Sequence, residues 1–496
     1  MNMFAGLVAL GQWGQHHPQV IVGTMGGALL LGGVVHVLTG GRQRGRDTHG
    51  SARFATYGEV KRSGLSRTHG VVVGTMQGQT FYDNGPTHVF LCGPTRSTKG
   101  VCHIQPTLRT WRHSALILDP KRGENYDATQ ACRRGYGRVE AFAPYQAPRV
   151  KINVCDTMRL RTLHEHGDAL CIAQSLVAPY KMVEESATSL HFRELAAMLL
   201  TAALLHLGYT ARHTSLARAW HFLTQEHRTL AACLKTMRTT PHTPHGVHPA
   251  IAQLTTAIQN ITGDRELSSV WSTVVRPLSL YADPLIAAST ATSTLRLEDL
   301  QQGPEPLSLY LLAPSPRALE RLHPVYRVIV DVAMARLMDR PVTTPAHRLL
   351  VCAEELPAYG YMHSLNKGAG DMAGYGIKGL FIAQDLDQFE DVYGQKNTIW
   401  GNTETKIFHA PNNERTAERL SRYILGQATV ENPVSSRQGF LRGGSVSYQH
   451  VERPLLTTDE VQALDPAHMI VRRTGSKPML LSKLGYDPAK RAEAAA

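Results

Sequence analysis

The sequence contains no C-x-x-C pair. Its seven cysteines, at positions 92, 102, 132, 155, 171, 233 and 352, are scattered, odd in number and partly embedded in apolar runs. That pattern excludes a disulfide framework and fits reduced, buried thiols in a cytosolic body. There is no long internal repeat and no heptad pattern, which excludes a solenoid and a coiled coil. Acid is also in short supply: 52 Lys and Arg stand against 40 Asp and Glu, a formal net charge of +12. An excess of this size favours nucleic acid, anionic lipid or an acidic partner and says nothing about fold; a solvated basic surface fits the same count.

Residues 1–41 have no Asp, Glu, Lys or Arg at all. Within them Val20–Leu38 is almost wholly apolar, about the length that crosses a hydrocarbon core of roughly 30 Å. Arg42, Arg44 and Arg46 follow at once. By the positive-inside rule, the body after them lies in the cytoplasm. The glycines at 23, 26, 27, 32 and 33 weaken a soluble helix but suit close packing in lipid. A signal peptide needs a basic start and a small-residue cleavage pattern, and neither is present. A buried soluble helix is the competing explanation, and Met3–Trp13 is too short to span. The expectation is an N-terminal anchor, residues 1–41, with a transmembrane helix at about 20–38.

The 496 residues suffice for several domains of roughly 100–200 residues each. Short β-like runs occur early (Thr87–Cys92, Ser114–Asp119, Val139–Pro144) and late (Leu307–Pro314, Arg348–Glu355, Ile377–Gln384, Thr405–Pro411). Helical patterns such as Ser315–Asp339 and Asn413–Leu425 lie between them, so a parallel α/β sheet is predicted. From about Met158 to Leu285 the pattern is helical, most clearly over Ser189–Gly208 with a glycine stop. Strands resume afterwards, which makes this stretch an insertion. His242, His245 and His248 are spaced by three, but two prolines and a glycine make Pro241–Ala250 a solvated loop rather than a metal-presenting helix face. Met469–Tyr486 reads as a hairpin turning at Gly475–Ser476.

One run carries chemistry. After the first β-like stretch comes Gly93-Pro94-Thr95-Arg96-Ser97-Thr98-Lys99-Gly100. The phosphate loop G-x-x-x-x-G-K-[ST] follows a strand and precedes a helix; its amides wrap phosphates, its Lys reaches the β/γ oxygens and its hydroxyl holds Mg²⁺. Here Gly93 and Lys99 keep the required separation, while Thr98 replaces the second glycine and Gly100 the hydroxyl. A basic surface turn satisfies the same residues. If position 98 needs a positive φ, a β-branched residue there is costly. Downstream, one apolar strand ends in Glu354 and Glu355, placed to hold a Mg²⁺ shell and to polarise a water. A solvated acidic strand end is the alternative. Another strand ends at Gln384, within reach of a γ-phosphate, though ordinary loop glutamines look the same.

Six segments stand in a telling order: His49–Thr56, Gly93–Val101, Leu118–Thr129, Glu354–Gly360, Gly374–Gly394 and Asn402–Phe408. In this order they resemble the type IV coupling proteins, the TraG-like membrane ATPases of conjugation and type IV secretion, over about residues 48–485. The resemblance implies an α/β fold: a RecA-like P-loop NTPase domain in two segments, 48–156 and 290–486. An all-α insertion, 157–289, a membrane anchor and a short tail, 487–496, complete it. It implies a homo-hexamer on the bacterial inner membrane that takes single-stranded DNA with its relaxase, or protein substrates, to the secretion channel proteins, using ATP and Mg²⁺. By position, Gly93, Pro94, Thr95, Arg96, Ser97, Thr98, Lys99, Gly100 and Val101 would bind nucleotide, with Lys99 on the β/γ-phosphates. Glu354 takes the Mg²⁺-side position, Glu355 the catalytic one and Gln384 the sensor position. Arg415 and Arg419 are candidates for an arginine finger offered to a neighbouring subunit. Gly100 is common in such loops; Glu354 stands where the family usually has Asp. Two alternatives remain: a nucleotide-binding docking receptor with little hydrolysis, and an FtsK-like DNA translocase. The latter class usually carries a C-terminal winged helix, for which the residues after Tyr486 are too few.

Overall fold

Seven apolar runs become parallel strands. The computed structural model describes residues 51–181, 186–225, 229–261, 263–339, 345–436 and 445–486; the expected anchor and the tail lie outside them. In chain order the strands are β1 (Val71–Met76), β2 (Gln79–Asp83), β3 (His88–Cys92), β4 (Ser114–Asp119), β5 (Arg138–Phe142), β6 (Leu307–Leu312), β7 (Leu349–Ala353), β8 (Ile377–Ala383), β9 (Thr403–Phe408), β10 (Gln427–Ser436), β11 (Ser445–Pro454), β12 (His468–Arg473) and β13 (Met479–Ser482). One 11-stranded sheet has the order β2-β1-β13-β12-β9-β3-β8-β7-β4-β6-β5. From β9 to β5 every pairing is parallel. Strands β3, β4, β7 and β8 are buried along their whole length, as parallel strands covered on both faces must be.

The expected parallel sheet accounts for seven of the eleven strands. β12, β13, β1 and β2 continue it antiparallel. The hairpin β12–β13 was legible at Gly475, which takes φ 75° in its turn. β1 and β2 are not among the expected strands.

Crossovers between parallel strands need helices. β3 leads through a π-helical turn, Gly100–Ile104, into α1 (Gln105–Thr110), and β4 leads into α2 (Glu124–Arg134). Between β5 and β6 the named elements among the described residues are helices, including α3 (Glu165–Val177) and α4 (Ala187–Thr210). Ser186 Oγ accepts from Ser189 N–H at 3.1 Å and starts α4. Gly208 is not its stop: the helix runs to Thr210, and a Cβ on Gly208 would lie 2.9 Å from the Leu160 methyl carbons. Gly208 is there for close approach. α4 is the one described helix apolar and long enough to cross a membrane, and 61% of its most apolar window is buried inside the protein. After β6, α5 (Pro316–Leu337) crosses to β7. The expected helix at 413–425 is split, α-helical over Glu414–Arg419 and π-helical over Leu420–Leu425.

The histidine loop is less solvated than predicted. His242 Nε2 meets His206 Nδ1 at 2.9 Å, and His248 Nε2 meets Glu165 Oε1 at 2.8 Å. Only His245 is exposed. The described residues contain no His, Cys, Asp and Glu group able to hold a metal ion. Of the free cysteines, Cys132 is exposed and Cys171 half-buried; the other five are buried.

A buried ion cluster fastens the antiparallel strands to the parallel ones. Asp83 accepts from Lys378 Nζ on β8 at 2.9 Å, from Arg473 Nη1 on β12 at 2.8 Å and from Thr405 Oγ1 on β9 at 2.6 Å. Arg473 Nη2 lies 2.9 Å from Glu404.

A second unit comprises Gly426–Leu455 with Met1–Ala52. Its described part is the antiparallel hairpin β10–β11, paired from Gln427–Pro454 to Ser436–Ser445. Ala52 N–H donates to Gln427 O at 3.0 Å.

Candidate functional site

β3, β4, β7, β8 and β9 end at Cys92, Asp119, Ala353, Ala383 and Phe408. Their common direction gathers these ends along one edge, where open α/β sheets bind ligands. Cys92 pairs with Ala383 and Phe408, and Ala353 with Leu118 and Phe381. The loop 93–99, Glu354, Glu355 and Gln384 are therefore neighbours by topology.

The loop turns through two left-handed residues, Arg96 at φ 62° and Thr98 at φ 69°. Such conformations cost about 1–3 kcal/mol each away from glycine. Thr98 thus holds the backbone shape that glycine adopts freely. Lys99, 5% exposed, curls back over the loop, its Nζ hydrogen-bonded to Gly93 O and, at 2.9 Å, to Pro94 O. Burial, then the charge of Lys121, hold the Lys99 pKa below its ordinary value. An anion in the cradle relieves both. Ser97 Oγ is buried without a hydrogen-bond partner, and a Cβ on Gly93 would lie 2.9 Å from it. An orphaned hydroxyl in this position suits a phosphate oxygen or the shell of a Mg²⁺ ion. Val101, on the turn that follows, is exposed.

The acids face the loop. Glu354, 2% exposed, accepts from Lys121 Nζ at 2.8 Å and Asn125 Nδ2 at 2.5 Å. Glu355 sits at φ 51°, a third left-handed residue. Its Oε1 accepts from Gln384 Nε2 at 3.0 Å, and Gln384 Oε1 accepts from Thr95 Oγ1 at 3.0 Å, across 289 residues. A continuous chain of hydrogen bonds thus runs from the loop through the glutamine to the acid. Lys121 Nζ is 3.7 Å from Glu355; burial opposes its charge, but Glu354 and then Glu355 outweigh it and raise its pKa. Asp119 caps α2, accepting from Asn125 and Tyr126 N–H at 3.0 Å each. Burial and the Glu354 charge push its pKa up to about 6.

The two arginines differ. Arg419 pairs with Glu390 and lies 5.2 Å over the Trp400 ring, so it is held in place. The Arg415 side chain is 84% exposed and 3.9 Å from Asp387. Arg415 alone of the pair presents an open guanidinium.

Behind the loop stands a buried imidazole pair that the sequence reading missed, together with Lys121 and Asn125. His103 Nε2 meets His409 Nε2 at 3.1 Å, and His103 Nδ1 faces Val72 O at 3.1 Å. Burial, partly offset by that carbonyl, pushes the His103 pKa down to about 4. The unfolded imidazole titrates near 6.5, so the unfolded chain takes up the proton first. Stability contributed by neutral His103 is present above about pH 6.5 and lost as pH falls towards 4, at most about 3 kcal/mol. Urea unfolding between pH 7 and 4.5 is expected to show this slope, and His103→Asn to flatten it.

The family model "Type IV secretory system Conjugative DNA transfer" matches residues 53–494. The chain is 33% identical over 455 residues to an Escherichia coli conjugal transfer protein TraG, covering 83% of this chain and 70% of the relative. Against protein VirD4 of Agrobacterium fabrum it is 26% identical, covering 89% and 66%. Among solved structures, the bacterial conjugative coupling protein TrwB superposes with a TM-score of 0.66 at 17% identity, over 90% of this chain and 96% of that one, which shows a shared fold. TrwB has also been solved with ADP and Mg²⁺, at a TM-score of 0.65 over 88% and 94% of the two chains. With a match across nearly the whole described chain and a relative one-third identical, the chain belongs to the type IV secretory conjugative DNA-transfer family of coupling proteins.

Proposed function

We propose that this chain is a membrane-anchored, ATP-hydrolysing coupling protein that brings relaxase-bound single-stranded DNA, or protein, to a type IV secretion channel. The observation that carries the reading is the hydrogen-bonded chain Thr95–Gln384–Glu355 between a phosphate loop and a carboxylate. It links the place where a γ-phosphate would lie to the group that would activate water. Lys99 would leave its two carbonyl partners for the β/γ oxygens, and the backbone of 93–101 would wrap the phosphates. Ser97 Oγ and Glu354 would serve the Mg²⁺ shell, with Lys121 balancing the two glutamates. Mg²⁺ would neutralise charge on the transferred phosphoryl group. Arg415 is the better candidate for a finger reaching the next subunit of a homo-hexamer. TrwB structures with ADP and Mg²⁺ and with ATP and GTP analogues support a nucleotide and Mg²⁺ here. The domain division 48–156 with 290–486, 157–289 and the 1–41 anchor in the inner membrane belong to the same reading, and the net charge of +12 suits a hexamer with a positive pore for single-stranded DNA.

A second reading is favoured by Thr98: a strained loop with its lysine curled inward describes a receptor that binds nucleotide and scarcely turns it over. Steady-state ATP hydrolysis, with and without single-stranded DNA, separates them. Lys99→Ala is expected to weaken nucleotide binding about 10- to 100-fold, the worth of one charged hydrogen-bonding group. Wild-type turnover no faster than that of Lys99→Ala, under both conditions, would reject the motor.

A further inference from the structure

The Ser97 carbonyl oxygen has three donors. Thr98 Oγ1 reaches it at 2.5 Å, His409 Nδ1 at 2.9 Å and Lys483 Nζ at 3.0 Å. They come from the loop itself, from the residue after β9 and from the residue after β13. A trans peptide is planar, with its C=O and N–H directed oppositely. Drawing the Ser97 oxygen towards β9 and β13 therefore turns the Thr98 N–H away from them, to the open side of the loop. Amides aimed that way are what a phosphate cradle consists of. The turned plane also accounts for φ 69° at Thr98.

His409 is built for this contact. It is 1% exposed. A carbonyl oxygen only accepts, so the Nδ1 facing Ser97 carries the hydrogen. On its far side the ring packs against His103, the two Nε2 atoms 3.1 Å apart. A Cβ on Gly93 would come within 2.9 Å of His409 Cβ, so the first residue of the loop is a glycine fitted against this ring. Lys483 is 6% exposed, an unusual placement for a lysine unless its ammonium has a polar destination.

We propose that His409 and Lys483 are positioning residues for the phosphate loop. Together, through the Ser97 carbonyl, they hold the Ser97–Thr98 peptide so that Thr98 N–H is offered to a nucleotide's phosphates. The assignment rests on the reading of 93–101 as a nucleotide cradle. It gives a strained threonine loop the external support that a glycine loop does not need.

The test is equilibrium binding of N-methylanthraniloyl-ADP with Mg²⁺ to the purified full chain, read by fluorescence anisotropy, with thermal melting as the check on folding. His409→Leu and Lys483→Met are each expected to raise Kd about 10-fold, and the double variant less than the product of the two, because both act on one acceptor. The donor-retaining variants His409→Asn and Lys483→Arg should return to within about threefold of wild type. Should His409→Leu fail to fold, the two lysine variants and His409→Asn decide. Variants that bind like wild type, while Lys99→Ala loses binding, overturn the positioning role alone. So does lost affinity that neither donor-retaining variant recovers, which marks a packing defect. A wild-type chain that does not bind the probe overturns the cradle itself.

Discussion

Glu355→Gln is expected to slow ATP hydrolysis about 10²- to 10⁴-fold, the usual contribution of a positioned general base, while nucleotide affinity stays within a few-fold of wild type. The substitution keeps length and shape and removes the negative charge and, with it, the ability to accept a proton. Gln384 Nε2 donates to Glu355 Oε1 at 3.0 Å, and an amide oxygen preserves that bond. The neighbouring ion pair with Lys121, at 3.7 Å, is weak beside the 2.8 Å contact that Lys121 makes with Glu354. Binding and turnover are therefore separable at this position, as they are not at Lys99. Single-turnover hydrolysis alongside equilibrium binding measures both. An unchanged rate would remove Glu355 from the chemistry and favour the docking receptor.

The second large effect concerns stability. Asp83→Ala is expected to cost about 3–5 kcal/mol, as breaking a buried ion pair from one side does. The carboxylate is wholly buried between Lys378, also wholly buried, and Arg473. Lys378 retains only carbonyl partners without it, Gly85 at 2.9 Å and Thr87 at 2.5 Å. Two cations would then share a dry site, and Glu404 at 2.9 Å compensates only Arg473. Urea unfolding measures the loss; a change under about 1 kcal/mol would mean that the cluster is not a desolvated pair. The proposed nucleotide site is at the opposite end of β3, so nucleotide affinity measured well below the unfolding midpoint should change little.

The parallel half of the sheet could be read because strands covered on both faces are uninterrupted apolar runs: Ser114–Asp119 and Leu349–Ala353 are buried throughout. β1 and β2 escaped notice for local reasons. Their turn is Gln77-Gly78, both at positive φ, and glutamine is a poor signal for a turn that usually carries Asn-Gly or Asp-Gly. Gly74 interrupts β1, where a Cβ would lie 2.2 Å from the Met469 methyl. That glycine answers to a strand nearly 400 residues away. The site divides in the same manner. Glu354, Glu355 and Gln384 each follow an apolar strand, and that position, with the order of the family's segments, marked them. His409 and Lys483 are a lone histidine and a lone lysine whose partner is a backbone oxygen. Their meeting depends on strand order, which pattern does not encode. Arg419 looked like Arg415 in sequence; only the Glu390 and Trp400 contacts distinguish it.

The antiparallel border has a consequence for synthesis. β1 is the first strand among the described residues, yet its neighbour is β13, and Thr75 Oγ1 donates to Ser482 O across 407 residues. Synthesis must run on for 407 residues past Thr75 before that border closes and Lys483 arrives beneath the loop. A nascent chain shorter than this leaves one edge of β1 without its β13 partner and the Ser97 carbonyl without its Lys483 donor.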